Sequence, residues 1–366
     1  MTTVLTGAGG FLGWHMQALL RARGAPPPRR LLLSTGGPSD TTDAARLVDG
    51  ADRLLHLAGV SRGPEDAVRE GNVELARRAA TALEGTERPP REIVFANSVQ
   101  AGNGTPYGDG KARAAEILHD AAEKVGARFV DLHLPNLFGE HGRPDHNSVV
   151  ATFCDRLARG HRPVVEVDRE LTLLSAQTAA EFLLQERPVT DLAASTVRLR
   201  VSEVLAELVD LDAGYQGACL PELDRGWRRD LFNVLRSSGP CPRFVRDLTV
   251  HSDARGAFHE VVRSTGGGGQ TSFSTTEPGV TRGQHVHRRK VERFRAVEGT
   301  GVLRLRRLLT EHVMEIPLDG DLPTAVDVPT LWTHSLVATG GRPLRTVLWV
   351  DEPFDPAHPD TFPEDV

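Results

Sequence analysis

The stretch Gly279-Val-Thr-Arg-Gly-Gln-His285-Val-His287-Arg-Arg-Lys290-Val-Glu292-Arg-Phe-Arg-Ala-Val-Glu-Gly299 decides how the second half of the chain is read. His285 and His287 are two apart, so on a β-strand both imidazoles point to one face. Glu292 falls on what would be the next strand, and Gly299 permits a tight turn. Pro329-Thr-Leu-Trp-Thr-His334 supplies a third histidine. Three imidazoles and a carboxylate form a ligand set for a divalent transition metal, and the same donors suit iron(II) or manganese(II). The expected metal ligands are therefore His285, His287, Glu292 and His334.

Around this stretch the chain reads as short strands separated by turns: Ala257 to Arg263, Gln270 to Thr275, Arg293 to Val297, Gly301 to Arg307, His312 to Pro317, Ala325 to Val328, His334 to Ala338 and Leu344 to Val350. That pattern suits a small β-sandwich or barrel. Gly266 to Gly269 reads as a hairpin loop. Turn formers cluster at Ser237-Ser-Gly-Pro-Cys-Pro242, and the helix–strand alternation stops there.

Upstream, the chain opens on an apolar strand, Thr3 to Thr6, then Gly7-Ala-Gly-Gly10-Phe-Leu-Gly13, then an amphipathic run through Arg23. A strand, a glycine turn and a helix N-terminus together make a site for a pyrophosphate. Alternation continues through strands at Arg30–Ser34, Asp52–Leu57, Glu92–Asn97 and Arg128–Leu134, with helices at Glu65–Leu83 and Lys111–Val125 and an abbreviated one within Thr41–Gly50. This predicts a doubly wound parallel sheet. The second strand ends in Leu33-Ser34-Thr35, without the carboxylate that binds the ribose 2′-hydroxyl of NAD. A 2′-phosphate is then permitted, and NADPH is the expected cofactor.

The composition narrows the chemistry. A chain of 366 residues holds two or three domains. Its net charge of -6 leaves no electrostatic footprint for nucleic acid. The N-terminus lacks the pattern of a signal peptide, and no apolar run suffices to span a bilayer. Cys154, Cys219 and Cys241 show no paired spacing, so the expected compartment is a reducing one, the cytoplasm. Of 43 basic residues only Lys111, Lys124 and Lys290 are lysine, and tyrosine occurs only at 107 and 215. Tyr107 and Lys111 nevertheless fall four apart at a helix start, shortly after Asn97-Ser98. An ammonium beside a phenol favours phenolate, which would let the tyrosine trade a proton with a carbonyl oxygen while a serine hydroxyl holds that oxygen and nicotinamide supplies hydride.

These residues resemble the extended short-chain dehydrogenase/reductase family over roughly Met1 to Gly239. The resemblance implies the catalytic trio Ser98, Tyr107 and Lys111. It implies cofactor contacts from Gly7, Gly10 and Gly13, from Ala58 at the end of the third strand, and from Pro135 in Leu134-Pro-Asn-Leu-Phe-Gly139. Asn72 matches a position where that family often has asparagine. Ser175-Ala-Gln-Thr178 departs from the family's Val-Asp-Asp type segment on the substrate side. Residues Gly142 to Gly239 read as mixed, with helices at Asn147–Arg159 and Thr178–Gln185 and an extended run at Val164–Thr172. Extended members bind a nucleotide-diphospho-sugar there. Arginines 143, 156, 159, 162, 169, 225, 228 and 229 offer diphosphate contacts, though most arginines in such a chain are solvated surface.

In the second half, the glycine, histidine and glutamate spacing resembles the cupin signature, with Leu331 where the second cupin motif usually has glycine. Asp253-Ala-Arg-Gly-Ala-Phe-His-Glu260 resembles the deoxysugar 3,5-epimerase branch of cupins. Nearly end to end, the chain resembles the CapF-type bifunctional enzymes of bacterial capsular polysaccharide synthesis. The residues that carry this are His56-Leu-Ala-Gly-Val60, Tyr107-Gly-x-x-Lys111, Pro135-Asn-Leu-Phe-Gly139, Asn147 to Cys154, Asp253-x-Arg-Gly256, His285-x-His287, Thr333-His334 and Phe354-Asp-Pro356.

The resulting expectation is a Rossmann-type α/β doubly wound parallel sheet at residues 1–243, including the sugar-nucleotide-binding portion, followed by an all-β cupin (jelly-roll) domain at 244–366. The resemblance implies a zinc-dependent cupin that epimerises C3 of a UDP-4-keto-2-acetamido-2,6-dideoxyhexose. It also implies an NADPH-dependent reductase acting at C4, giving a precursor of UDP-N-acetyl-L-fucosamine, in a homodimer. Lys290, between the ligands, is a candidate acid or base. Three alternatives stay open: a cupin that holds iron and oxidises its substrate, a non-catalytic dimerisation or sugar-sensing cupin on a working reductase, and a dTDP-deoxysugar epimerase/reductase of natural-product synthesis.

Overall fold

The computed structural model describes every residue except 35–40, 217–218, 224–225, 240–243, 249, 254–255, 260 and 265–267. Thr35, Arg225, Pro240 to Pro242, Ala254, Arg255, Glu260, Gly266 and Gly267, all named above, lie outside the described residues.

The first elements are β1 (Thr3–Thr6), α1 (Phe11–Ala22), β2 (Arg29–Leu31), α2 (Thr41–Val48), β3 (Arg53–His56), α3 (Glu65–Glu84), β4 (Glu92–Ser98), α4 (Pro106–Val125) and β5 (Arg128–Leu134). Then come β6 (Asn136–Phe138), α5 (Val149–Ala158), β7 (Glu170–Ser175), α6 (Ala176–Leu183), β8 (Val197–Arg200), α7 (Val201–Gln216), β9 (Cys219–Leu220) and α8 (Gly226–Ser237). Only strands follow among the described residues: β10 (Val245–Asp247), β11 (Val250–Asp253), β12 (Gly256–His259), β13 (Arg263–Ser264), β14 (Gln270–Thr276), β15 (Thr281–Val286), β16 (Glu292–Glu298), β17 (Thr300–Arg307), β18 (Val313–Asp319), β19 (Thr324–Val328), β20 (Trp332–Ala338), β21 (Leu344–Val350) and β22 (Phe362–Pro363).

By packing, the chain divides into two units. The first is Met1–Phe138 with Leu171–Arg198, the second Gly139–Glu170 with Leu199–Val366. The change of fold type expected at residue 243 falls within 240–243, outside the described residues.

In the first unit a parallel sheet runs β2-β1-β3-β4-β5. Its central strands carry buried apolar segments, Val4-Leu5, Leu54-Leu55 and Ile93 to Ala96, as a sheet covered on both faces requires. Leu5, Leu55, Val94 and Leu132 bury against Met16 and Leu19 of α1 and Phe182 and Leu183 of α6. On the other side Val4, Leu54 and Ile93 meet Ala82 and Leu83 of α3 and Ala121 and Ala122 of α4. The small alanines let these helices approach closely. Every strand therefore ends on the same edge, where such sheets bind ligands.

In the second unit two antiparallel sheets, β10-β19-β16-β21-β14 and β18-β17-β20-β15-β22, carry the all-β part. Phe294, Val326, Val328, Leu303, Leu305 and Leu336 from both sheets share one core, the arrangement of a cupin-like sandwich. Helices α5, α7 and α8 belong to this same unit. Tyr215 of α7 donates from its hydroxyl to Asp327 Oδ2 at 2.8 Å, and Arg293 grips the same carboxylate at 2.6 and 3.0 Å. Arg293 and Asp327 are each 1% exposed, so the pair is buried and its carboxylate, pushed upward by burial, is held down by Arg293. No helix among the described residues is long and apolar enough to cross a membrane.

Candidate active site and metal centre

The cofactor loop is shaped by backbone contact. Gly7 has φ 68°, and a Cβ there would meet Ala58 N at 2.7 Å. Gly10 N donates to Gly7 O at 2.9 Å. A Cβ on Gly13 would lie 2.1 Å from Gly7 O, so α1 rests directly on the turn. The hydroxyl of Thr6 accepts from Leu57 N and Ala58 N, both at 3.1 Å, and lies 3.2 Å from His56 Nδ1. With its lone pairs committed to two amides, Thr6 donates to the ring nitrogen. Gly7, Gly10, Gly13 and Ala58 thus meet at the ends of β1 and β3. Asn72 bonds the backbone of Val60 and Val68, tying α3 to the segment after β3. Pro135 follows β5 and is half-buried.

Ser98 ends β4, and Tyr107 stands in the first turn of α4. The helix starts earlier than the periodicity implied, because Thr105 caps it by accepting from Gly108 N at 3.1 Å with Pro106 at its first position. The two hydroxyls hydrogen-bond. Burial pushes the Tyr107 phenol above its ordinary range, and the Ser98 bond only partly offsets that. The expectation that lysine lowers this phenol is not met in this geometry. Lys111 is 4% exposed, and its Nζ donates to Ala96 O at 2.6 Å and sits 4.1 Å from the Phe95 ring centroid. Burial lowers Lys111 to about 7, against the pull of Asp131. His56 is lowered to about 3, by burial first and then by Lys111. Neither Thr6 nor His56 stood out as functional from the sequence, since threonine and histidine at strand ends are ordinary.

Lys111 has a consequence for stability. An unfolded lysine titrates near 10.4, so between about pH 7 and 10 the unfolded chain binds the extra proton and stability rises with pH. The cost of burying the ammonium is full below about 7. Lys111→Met is expected to raise stability by about 1–3 kcal/mol at pH 6, with the gain vanishing above about pH 10. Urea midpoints across that range check it, and a pH-independent gain would contradict the assignment.

In the second unit His285, His287, Glu292 and His334 converge, their ligating atoms all within 4.8 Å of one another. β15 pairs with β20 so that His285 faces His334, after a register irregularity between Gly283 and His285. Gly283 makes that bulge possible. Its φ is 94°, and a Cβ would lie 2.8 Å from His334 O. Glu292 opens β16 in the facing sheet. His287 Nε2 and Glu292 Oε2 lie 3.1 Å apart but lack the geometry of a hydrogen bond. His287 Nε2, Glu292 Oε2 and His334 Nδ1 are buried without a hydrogen-bond partner among the described residues. Two orphaned atoms facing one another, in a set of three imidazoles and one carboxylate, fit a divalent cation. Burial works to raise Glu292, yet His287 holds it at about 2. Burial lowers His334 to about 3. His287 stands above the ordinary histidine value because Glu292 outweighs its burial.

A cavity of about 430 Å³ opens onto this cluster, lined by His285, Glu292 and His334 together with Phe273, Arg282 and Thr346. Lys290 is absent from that lining. Its Nζ donates to Pro359 O at 2.6 Å and lies 5.5 Å from the Phe354 ring centroid, so the reading of Lys290 as acid or base is corrected. The turn between His287 and Glu292 carries its side chain towards residues 354–359 instead. Among the arginines offered for diphosphate contact, Arg156, Arg159, Arg228 and Arg229 are engaged by carboxylates.

Leu331 explains why glycine is usual at its position. Its φ is 62° and its N donates to His287 O at 2.8 Å. The left-handed backbone costs about 1–2 kcal/mol for a residue with a Cβ, offset here by a side chain 1% exposed. Leu331→Ala keeps the strain and loses the packing, about 2–5 kcal/mol. Leu331→Gly relieves the strain and is expected to be the less damaging by about 1 kcal/mol in urea unfolding, an inversion of the usual helix or strand order.

A parallel-sheet unit with a glycine turn and a serine–tyrosine–lysine group, in one chain with an antiparallel sandwich and a four-ligand cluster, defines an NAD(P)-dependent epimerase/reductase-type enzyme with a cupin-like domain. Residues 3–180 match the NAD dependent epimerase/dehydratase family, and residues 251–362 the Polysaccharide biosynthesis C-terminal domain. A UDP-2-acetamido-2,6-beta-L-arabino-hexul-4-ose reductase of Pseudomonas aeruginosa is 30% identical over 371 residues, covering 99% of this chain and 98% of the relative. The crystal structure of the capsular polysaccharide assembling protein CapF of Staphylococcus aureus is 30% identical over 100% of both chains, with a TM-score of 0.63. A structure of CapF with the inhibitor 3-isopropenyl-tropolone is 27% identical over the same full coverage, with a TM-score of 0.55. The chain belongs to this CapF-type family of polysaccharide-biosynthesis enzymes.

Proposed function

We propose that the chain is a bifunctional nucleotide-sugar enzyme that first inverts C3 of a UDP-4-keto-2-acetamido-2,6-dideoxyhexose in the cupin and then reduces the C4 ketone, on the route to UDP-N-acetyl-L-fucosamine. The observation that carries the reading is the pair of orphaned atoms, His287 Nε2 and Glu292 Oε2, in a cluster whose His285, Glu292 and His334 line a cavity, in a chain that also holds Ser98, Tyr107 and Lys111. The name of the Pseudomonas relative supports it, being that of a reductase of a UDP-linked hexul-4-ose.

His285, His287, Glu292 and His334 would hold zinc, which supplies a Lewis acid for a ketone oxygen and so makes the neighbouring carbon acidic. Loss of the C3 proton and its return on the opposite face inverts that carbon. In the reductase, Tyr107 keeps its proton through neutral pH because burial raises it. It delivers that proton to the C4 oxygen, which the Ser98 hydroxyl orients. Bound NADPH supplies the hydride to C4. Ser34, three residues beyond β2, with Arg78 Nη1 3.5 Å from its hydroxyl, favours the phosphorylated cofactor over NADH. Reduction removes the acidity on which epimerisation depends, so the cupin must act first. A cytoplasmic homodimer is the corresponding assembly.

Incubating the protein with UDP- and dTDP-4-keto-6-deoxysugars in deuterated water tests this. NMR should show deuterium at C3 without NADPH, and a C4 alcohol once NADPH is added. Reduction without any C3 exchange would leave the cupin a binding or dimerisation module. Turnover of only the dTDP sugar would move the enzyme to another pathway.

A further inference from the structure

The turn between His287 and Glu292 is held by a segment distant in sequence. Asp360 is 4% exposed. Its Oδ1 accepts from Arg288 N at 3.3 Å, and its Oδ2 from Arg289 N at 2.9 Å and Lys290 N at 3.0 Å. The carbonyl of the same residue lies 2.5 Å from His287 Nδ1. A carbonyl can only accept, so His287 donates from Nδ1 and leaves its lone pair on Nε2, the atom facing Glu292. Asp360 sits at φ 43°, a left-handed conformation that lets side chain and carbonyl serve the same turn. Flanking contacts fasten the segment. Lys290 Nζ bonds Pro359 O and Arg289 Nη2 bonds His358 O. β22 pairs with β15 beside His285, and Thr333 Oγ1 donates to Glu364 O at 2.7 Å.

We infer that Asp360 is a positioning residue of the metal centre: its carboxylate fixes the three amides after His287, and its carbonyl sets the tautomer that aims His287 Nε2 inward. Three successive N–H groups converging on one buried point need an anionic acceptor. An asparagine offers one acceptor oxygen and turns an NH₂ towards donors, leaving at least one amide unpaired. With the turn loosened, the residue 360 carbonyl that orients the imidazole is no longer held in place, and such partners typically govern metal affinity by 10–100-fold. Lys290 accordingly serves the strap, not the chemistry. The inference rests on reading His285, His287, Glu292 and His334 as metal ligands.

The test compares the full-length chain with D360N and with D355N, a control at an exposed aspartate. Zinc affinity is measured by competition with a chromophoric chelator, and the visible spectrum is recorded after cobalt(II) substitution. D360N is expected to bind zinc 10–100-fold more weakly with an altered cobalt spectrum, while D355N matches the parent. Equal zinc affinity and an unchanged spectrum in D360N overturn the inference and leave the ligand assignment standing. A parent protein that takes up no zinc removes both. Should D360N fail to fold, two-bond ¹H–¹⁵N NMR of the zinc-loaded parent decides: a neutral His287 protonated at Nδ1 supports the inference, and one protonated at Nε2 overturns it.

Discussion

Tyr107→Phe is expected to lower NADPH oxidation by about 10²–10⁴-fold while leaving solvent exchange at C3 of the ketosugar untouched. In the proposed reaction the phenol is the proton source for the C4 oxygen, and it hydrogen-bonds Ser98 at the end of β4. Phenylalanine fills the same space in the first turn of α4, so the fold has no reason to change. Reduction stops for want of a proton, not for want of cofactor, and NADPH affinity should stay within a few-fold. The measurement is paired: absorbance of NADPH at fixed ketosugar, and deuterium at C3 by NMR in its absence. Loss of exchange together with reduction would mean that one site performs both steps.

The mirror-image experiment is Glu292→Gln. Glu292 is the only carboxylate among the four clustered groups, and it is 7% exposed with its Oε2 unsatisfied. Glutamine keeps the shape but removes the anion that offsets the cation and that holds His287 above its ordinary range. Zinc affinity is expected to fall by at least about 100-fold and C3 exchange to disappear. NADPH oxidation should persist when the already inverted ketosugar is supplied. Metal content by mass spectrometry and the two activity assays check each limb. Unchanged C3 exchange in a zinc-free variant would sink the Lewis-acid reading.

Local pattern carried much of both sites. The glycine turn, the tyrosine four residues before lysine and the histidine pair are short-range signals, and side-chain spacing on a helix or strand determines which of them share a face. Strand limits were legible for the same reason: β5 and β21 fall at Arg128–Leu134 and Leu344–Val350, as their apolar runs imply. What stayed hidden depends on contacts between distant residues. Helices α7 and α8 were not read from the sequence at all, and α7 is anchored by Tyr215 to Asp327, far along the chain. The direction of Lys290 is set by Pro359. The phenol of Tyr107 goes up rather than down because its own burial, not visible in spacing, outweighs its bond to Ser98, while the ammonium of Lys111 is taken by the Ala96 carbonyl. Leu331 looked like a defect in a motif until its backbone angle gave the reason for the missing glycine.

The bulge at Gly283 also bears on folding fidelity. His285 and His334 become cross-strand partners only after the irregularity there, and they lie roughly fifty residues apart, so their meeting requires a long loop to close. A slip of one residue in this pairing would turn His285 to the opposite face of the sheet. The slipped sheet would keep much of its backbone bonding and lose the ligand set. Metal uptake would then count the molecules whose sheets are in native register, and zinc present during refolding should enrich that population over misregistered ones.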